Sequence, residues 1–354
     1  MTITNKPKMN KLGGAAFLAL TASSASAGGL DLSGQPILPL FEQGIYAELS
    51  VASINTDISG TDVSGQPTGK ISERFFTYKG ALKTDATERL SLAVLWDQPF
   101  YGQSKYGAGL FSGLDANLDS QALTFAARYK FNDRYSVYAG PRIQQMKADA
   151  SFPLFGYSLD TSTETDLGYV VGAAFEIPEY HTLVALTYHS SITHSLEATE
   201  SGINSGAFDI VWPESYTLDF RAPVSQSTLL FGSIRHTKWD GYDISPPIFS
   251  ADGSSILALE DDTTTYRLGV AQKFNNTWSG LVRFTYEAAS DDEQVIFSPY
   301  NGVRGVGLGA SYQRDKLRIT AMADYFDLKG TTGPVGDFDG DSAIAVGMQI
   351  GYHF

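Results

Sequence analysis

Few side chains in this sequence are spaced for bond-making chemistry. His189 stands beside Ser190 and Ser191, a base next to a nucleophile as a hydrolase would need. No G-x-S-x-G frames those serines and spacing assigns no third member, so structural histidines are the plainer reading and no catalytic residue is expected. Gly305-Val306-Gly307-Leu308-Gly309-Ala310 has the glycine spacing of a dinucleotide fingerprint, but Ser311-Tyr312-Gln313 reads as continued strand where the fingerprint opens a helix. Small residues on the inner side of a strand explain it better, and no cofactor is expected. Asp337-Phe338-Asp339-Gly340-Asp341, Asp291-Asp292-Glu293 and Glu260-Asp261-Asp262 offer oxygen ligands for a hard cation, yet no EF-hand glutamate follows the first. They read as solvated acidic loops, with loose divalent bridging to lipopolysaccharide as the alternative, and no protein metal site is expected.

Composition narrows the class. With no cysteine there is neither a disulfide nor a thiolate ligand, and a net charge of -14 leaves little from which to build a nucleic-acid footprint. The first segment reads as an address: Lys6, Lys8 and Lys11 precede an apolar run from Leu12 to Ala22, and Ala25-Ser26-Ala27 supplies the small residues at which a signal peptidase cuts. Residues 1–27 are therefore expected to be a cleaved signal peptide, whose three lysines and lack of acids take the mature charge from -14 to -17. Beyond it no run reaches the roughly 18 apolar residues of a membrane-spanning helix, so a membrane protein of this sequence has to be a β-barrel.

The mature chain is patterned with period two. Eleven segments of about ten residues alternate large apolar with small or polar residues, from Ile45, Ala47, Leu49 and Val51 to Ile344, Val346, Met348, Ile350, Tyr352 and Phe354. Every charge in them lies on the face opposite the apolar one, among them Asp97, Arg128, Arg142, Arg267, Arg283, Arg318 and Asp324. Lipid explains that sorting, because a charge on a lipid-facing strand position costs about 2–4 kcal/mol at the midplane. Less regular stretches near 71–81, 182–190 and 227–239 bring the strands to fourteen, an even number as in bacterial outer-membrane barrels. Short turns such as 132–134 and 178–180 alternate with long connections such as 98–119, 191–214 and 240–263. The expectation is an all-β transmembrane antiparallel barrel over 44–354, in the bacterial outer membrane.

Two long connections are unusually apolar: Phe152, Leu154, Phe155 and Tyr157 in one, and Phe208, Ile210 and Trp212 in the other. Such loops either bind something apolar or pack on each other. In the third strand Pro99 and Gly102 follow Trp96, which fits either a kinked strand or one that has ended by Asp97.

Ser33-Gly34-Gln35-Pro36-Ile37-Leu38-Pro39-Leu40-Phe41, the run from Leu186 through Tyr188-His189-Ser190-Ser191 to Glu197, Pro213-Glu214-Ser215-Tyr216, Tyr266-Arg267-Leu268-Gly269 followed by Asn275-Asn276-Thr277-Trp278, and the terminal Phe354, in that order, resemble the FadL-type outer-membrane transporters of long-chain fatty acids and related hydrophobic compounds. The resemblance implies a fourteen-stranded barrel with an N-terminal hatch, here only residues 28–43, with Gln35, Pro36, Leu40 and Phe41 in it. It also implies a capture groove formed by the two apolar loops, a basic residue such as Arg142 or Lys147 to meet a carboxylate, and a side opening at Pro99 and Gly102. Phe354 resembles the terminal signal read by the outer-membrane assembly machinery. The expected function is passive uptake of a hydrophobic molecule, a long-chain fatty acid, by a monomer that is not an enzyme; the alternatives are a general diffusion porin for small polar solutes and a hydrolase at the barrel rim.

Overall fold

The computed structural model describes residues 30–32, 34–289, 300–330, 332–333, 336–338 and 342–354. Residues 1–27, expected to be a signal peptide, the cluster Asp291–Glu293 and Asp339 to Asp341 lie outside the described residues.

Fourteen antiparallel spans close on themselves. They are β1 (Tyr46–Asp57), β2 (Phe75–Asp85), β3 (Leu90–Asp97, resuming as Tyr101–Lys105), β4 (Asp115–Lys130), β5 (Tyr135–Phe152), β6 (Glu164–Ile177) and β7 (Thr182–His189). The second half comprises β8 (Ser215–Pro223), β9 (Thr228–Thr237), β10 (Thr263–Lys273), β11 (Trp278–Glu287), β12 (Tyr300–Arg314), β13 (Leu317–Gly330) and β14 (Ser342–His353). Each pairs with its neighbours in sequence, and β14 closes the ring on β1 from Tyr46↔His353 to Asp57↔Ser342. Closure leaves neither the first nor the last strand as an edge to the bilayer, which has no water to offer it.

The alternation decides which side faces lipid. Leu49, Leu82, Leu167, Leu268, Phe284, Leu308 and Val346 are all exposed on the outer face, whereas Arg128, Arg142, Arg235, Arg283, Arg318 and Asp324 on the inner face are buried. Aromatic side chains collect at both ends of the apolar band, where a ring with a polar tip meets the interface. At the long-loop end Tyr188 sits 5.9 Å from Tyr169 and 5.0 Å from Tyr216, and at the short-turn end Trp278 packs on Tyr312 and Tyr352 on Phe354. The glycines of the fingerprint-like run occupy the inner side of β12. Gly305 leaves room for the Phe326 ring and Gly307 for the Asp324 carboxylate, as expected of small inward residues on a strand.

One connection departs from its expected form. The apolar stretch near 191–214 is a β-hairpin of Ile192–Glu200 and Ile203–Trp212, standing between β7 and β8, with Ile192, Leu196, Ala198, Phe208, Ile210 and Trp212 all buried.

Candidate functional site

The barrel interior has two chemically distinct halves. In the half toward the short turns, inward charges meet inward charges. Arg283 donates to Asp324 at 2.7 Å, Arg318 to Glu42 at 3.2 Å, Lys83 to Asp85 at 2.5 Å and Arg128 to Glu176. Higher up, Arg142 reaches Asp97 at 3.3 Å and Thr124 at 3.0 Å. Buried ions have to be paired because each costs several kcal/mol to desolvate.

Toward the long loops the interior turns apolar. Phe100 stacks on Trp212 with ring centres 4.1 Å apart and planes 2° from parallel; Trp239 meets both edge-on, and Tyr242 lies 5.3 Å from Trp212. The Trp212 Nε1–H points to Met146 Sδ at 3.1 Å. A small ladder of Tyr242–Ile244 and Leu257–Leu259 roofs this chamber. Beneath the roof is a cavity of about 50 Å³ walled by Leu30, Ala116, Leu118, Ala150, Ile244 and Leu257, with Gln103, Asn117 and Asp149 contributing its polar lining. Among the described residues no three His, Asp or Glu side chains gather as a metal site.

Residues 34–43 pack on inward-facing side chains. Ile37, Leu40 and Phe41 bury against Ala81, Leu95, Ala126, Tyr138 and Ala185, and the Arg128 guanidinium lies 4.4 Å over the Phe41 ring. Gln35 takes a left-handed φ of 49° beside Gly34, turning the segment beneath the chamber. Upstream, Asp31 accepts from Arg235 Nε at 2.6 Å and from the Thr237 hydroxyl at 3.2 Å.

The segment ends at a break in the wall. β2 and β3 pair only from Gly80↔Trp96 to Asp85↔Ser91, and above that level Tyr78 donates its N–H to the Gln98 side chain in place of a neighbouring carbonyl. Pro99 has no N–H for a ladder, and Phe100 is turned inward, held by a two-way hydrogen bond with Ser120. Leu30 and Leu32 take the abandoned edge from inside: Leu32 N–H donates to Pro99 O at 2.9 Å and Tyr101 N–H to Leu30 O at 3.0 Å. Across the break the rings of Phe75 and Tyr101 stack at 4.5 Å, and above them Lys105 bridges to Glu73 at 3.2 Å. A β-carbon at Gly102 would come within 2.7 Å of Leu30 Cδ2, so a side chain there would have to push the tip of Leu30 aside.

With that geometry in hand, comparison with known proteins is informative. The family model described as the outer membrane protein beta-barrel domain matches residues 14–210, more than half of the chain. The chain belongs to the outer membrane protein β-barrel domain family. No curated protein matches it in sequence. Among solved structures, a Pseudomonas aeruginosa FadL homologue is similar at 16% identity and TM-score 0.67, over 88% of this chain and 91% of that one. The Pseudomonas putida toluene transporter TodX is similar at 13% and 0.66, over 94% and 98%, and the Ralstonia pickettii toluene transporter TbuX at 14% and 0.60, over 93% and 92%. These likenesses concern the fold.

Within this outer-membrane barrel the residues expected to form a capture groove divide. Phe152, Phe208, Ile210 and Trp212 belong to the chamber core, because each continues the inward parity of its strand. Leu154 and Phe155 ride on a short turn, Pro153–Phe155, and remain 50% and 66% exposed. Tyr157 is half-buried, packed between Phe152 and Phe249. The two expected carboxylate partners lie on opposite faces of β5. Arg142 is engaged with Asp97, and Lys147 lies on the outer face, paired with Asp160 at 2.9 Å, since an odd position on β5 points away from the interior. Ser190 Oγ accepts the Tyr169 N–H, a structural bond. Trp239 and Tyr242, not singled out from the sequence, are signalled there only by a Trp and a Tyr closely spaced in an acidic loop.

One acid ties the roof of this barrel together. Glu200, fully buried, accepts from the Tyr157 hydroxyl at 2.7 Å and from the Ile248 and Phe249 N–H groups at 2.8 Å each. Burial works to raise its pKa, but the hydrogen bonds from Ser205, Ile248, Tyr157 and Phe249 outweigh it and hold the carboxyl below the usual glutamate range. A carboxyl with a depressed folded pKa stabilises the roof fully above its unfolded value, and that stabilisation is lost as pH falls through the folded value. Glu200→Gln should therefore loosen the connection 238–262 by about 1–3 kcal/mol at neutral pH. Limited proteolysis of the intact barrel checks this: cutting near Phe249 should quicken in the variant, and the difference from the wild type should shrink in strong acid.

Proposed function

We propose that this barrel is a passive conduit for hydrophobic molecules, which leave it sideways through the break between β2 and β3. The observation that carries the reading is an aromatic, apolar chamber lying behind that break and above a floor of paired, buried charges. A hydrophobic molecule descending past Arg283, Asp324, Arg318 and Glu42 would have to displace their ion pairs, whereas the sideways route crosses only the Phe75 and Tyr101 rings and the residues Leu30 to Leu32. Apolar contact supplies about 0.8 kcal/mol per buried methylene, so capture needs no polar recognition. The exposed Leu154 and Phe155 are the first contact in this reading, and residues 34–43 act as the hatch. The solved relatives whose titles name a FadL homologue and toluene transporters support the cargo class.

Long-chain fatty acids and neutral hydrocarbons both belong to that class. The pairing of Arg142 and the outward position of Lys147 favour the neutral molecule. The barrel works as a single copy, in the outer membrane, after export through a cleaved signal peptide. Phe354, its side chain 66% exposed and its N–H bonded to Ile45 O, is the signal for the assembly machinery.

Reconstitution in liposomes tests the conduit. Labelled toluene and labelled oleate should both equilibrate faster than in protein-free vesicles, toluene showing the larger gain, while a planar bilayer shows no steady ion conductance. A steady open-pore current without hydrophobic uptake would replace the conduit by a porin.

A further inference from the structure

We propose that the wall has a second side opening, between β6 and the hairpin that follows β7, through which uncharged hydrophobic molecules exchange between the aromatic chamber and the outer leaflet. This rests on the conduit reading and adds a route to it.

The ladder between β6 and β7 runs from Ile177↔Thr182 only as far as Val170↔His189. β6 continues outward to Glu164, but there it pairs with β5 alone. The chain beyond β7, Ile192–Glu200, pairs with its own return strand and, at its tip, with Tyr157–Thr161. Two stitches bound the unpaired stretch. At the lower one Ser190 N–H donates to Tyr169 O at 3.0 Å and Tyr169 N–H to Ser190 Oγ at 2.9 Å. At the upper one Ser162 N–H donates to Glu197 O and Glu197 N–H to Ser162 Oγ, both at 2.9 Å. Each stitch uses a serine hydroxyl where a regular ladder uses a carbonyl. No ladder pairing joins the residues between them, 163–168 on one side and 191–196 on the other.

Side-chain cover beyond the lower stitch is thin. Inward Val170 on β6 is fully buried, but inward Asp166 and Gly168, beyond the lower stitch, are half-exposed. Two side-chain contacts cross the gap. His194 Nδ1 meets Asp166 Oδ2 at 2.7 Å, and Ile192 lies so close to Gly168 that a β-carbon there would come within 2.6 Å of Ile192 Cγ1. Immediately inside are Leu196, Met146 and Trp212, all buried in the chamber core; outside, Leu167 is 72% exposed and Tyr169 51%. From the outer face to the chamber the barrier is therefore one histidine–aspartate contact and one isoleucine side chain, not a run of backbone hydrogen bonds. Side chains change rotamer without unpairing a strand, whereas a closed ladder does not open in a bilayer.

The chain has no cysteine, so a pair introduced across the gap is unambiguous. Asp166→Cys with His194→Cys, in liposomes, should take up labelled toluene about two-fold or more slowly when oxidised than when reduced, with the cross-link verified by mass. Equal uptake in the two states, the cross-link being complete, would overturn the opening while leaving the conduit standing; no uptake by the wild type would remove both. Hydrogen exchange of the unmodified protein in nanodiscs gives a check that does not depend on the variant folding. Those amides of 164–168 and 192–196 that point into the gap, and not to β5 or to the hairpin's return strand, should exchange about a hundred-fold or more faster than the amides of 170–177 that point to β7. Equal protection would mean that the ladder is closed there, and would also overturn the proposal.

Discussion

Hydrophobic uptake should fall by about two-fold when the break between β2 and β3 is tied shut, and by about ten-fold or more when the second side opening is closed with it, because the two routes run in parallel and release limits the flux. The pair to use is Phe75→Cys with Tyr101→Cys, whose native rings stack at 4.5 Å across the opening, joined by a short bis-maleimide that adds one cysteine thiol at each end. Assembly should be unaffected, since β2 keeps its full pairing with β1 from Ile54↔Phe75 to Tyr46↔Lys83, and the resumed β3 keeps its pairing with β4. The measurement is toluene entry into liposomes before and after cross-linking, with each single cysteine treated in parallel. Uptake that survives complete cross-linking at the wild-type rate would show that cargo does not leave between these strands.

The floor of the chamber gives the second large effect. Arg283→Met should destabilise the barrel by about 3–5 kcal/mol, because Asp324, 2% exposed, would be left as a buried charge without its guanidinium. Converting both, Arg283→Met with Asp324→Leu, should recover most of that loss. The readout is the urea midpoint at which the heat-modifiable band disappears. If the single variant unfolds at the wild-type midpoint, the pair is solvated and the lumen is wetter than its burial implies. The contrast between single and double variants separates the stabilisation given by pairing from the cost of burying ions at all.

The barrel itself is legible in the residues because lipid imposes a sharp selection on alternate positions. Leu268 and Phe284 had to face out, and Arg267 and Arg283 in, whichever residues pair. Which inward charges meet is a different matter: Asp97 and Arg142 are 45 positions apart on strands that flank β4, and only the register of two ladders brings them together. That is why Arg142 reads from the sequence as a cation available to a carboxylate. The hairpin after β7 was legible in principle. Ile192, His194, Leu196 and Ala198 alternate, as do Phe208, Ile210 and Trp212, and that is a strand signal overshadowed by the apolarity of the stretch. At Pro99 and Gly102 the residues allowed a kinked strand or a finished one. The strand breaks and resumes, and its outer edge is met by Leu30 and Leu32, some seventy residues earlier in the chain. No local pattern carries that pairing.

The seating of Leu30 to Leu32 against β3, with Asp31 held by Arg235 some 204 residues along, bears on how the molecule is made. A cylinder that encloses part of its own polymer has a topological order of construction. The enclosed stretch has to be inside before the seam between the first and last strands zips, since afterwards the floor ion pairs and the roof bar both ends. Contacts spanning most of the chain are slow to form, so the early residues spend the longest time waiting for their partners. Their own apolar side chains, Leu30, Leu32, Ile37, Leu40 and Phe41, stay uncovered until the strands they pack against arrive, which makes the unfinished barrel stickier than the finished one.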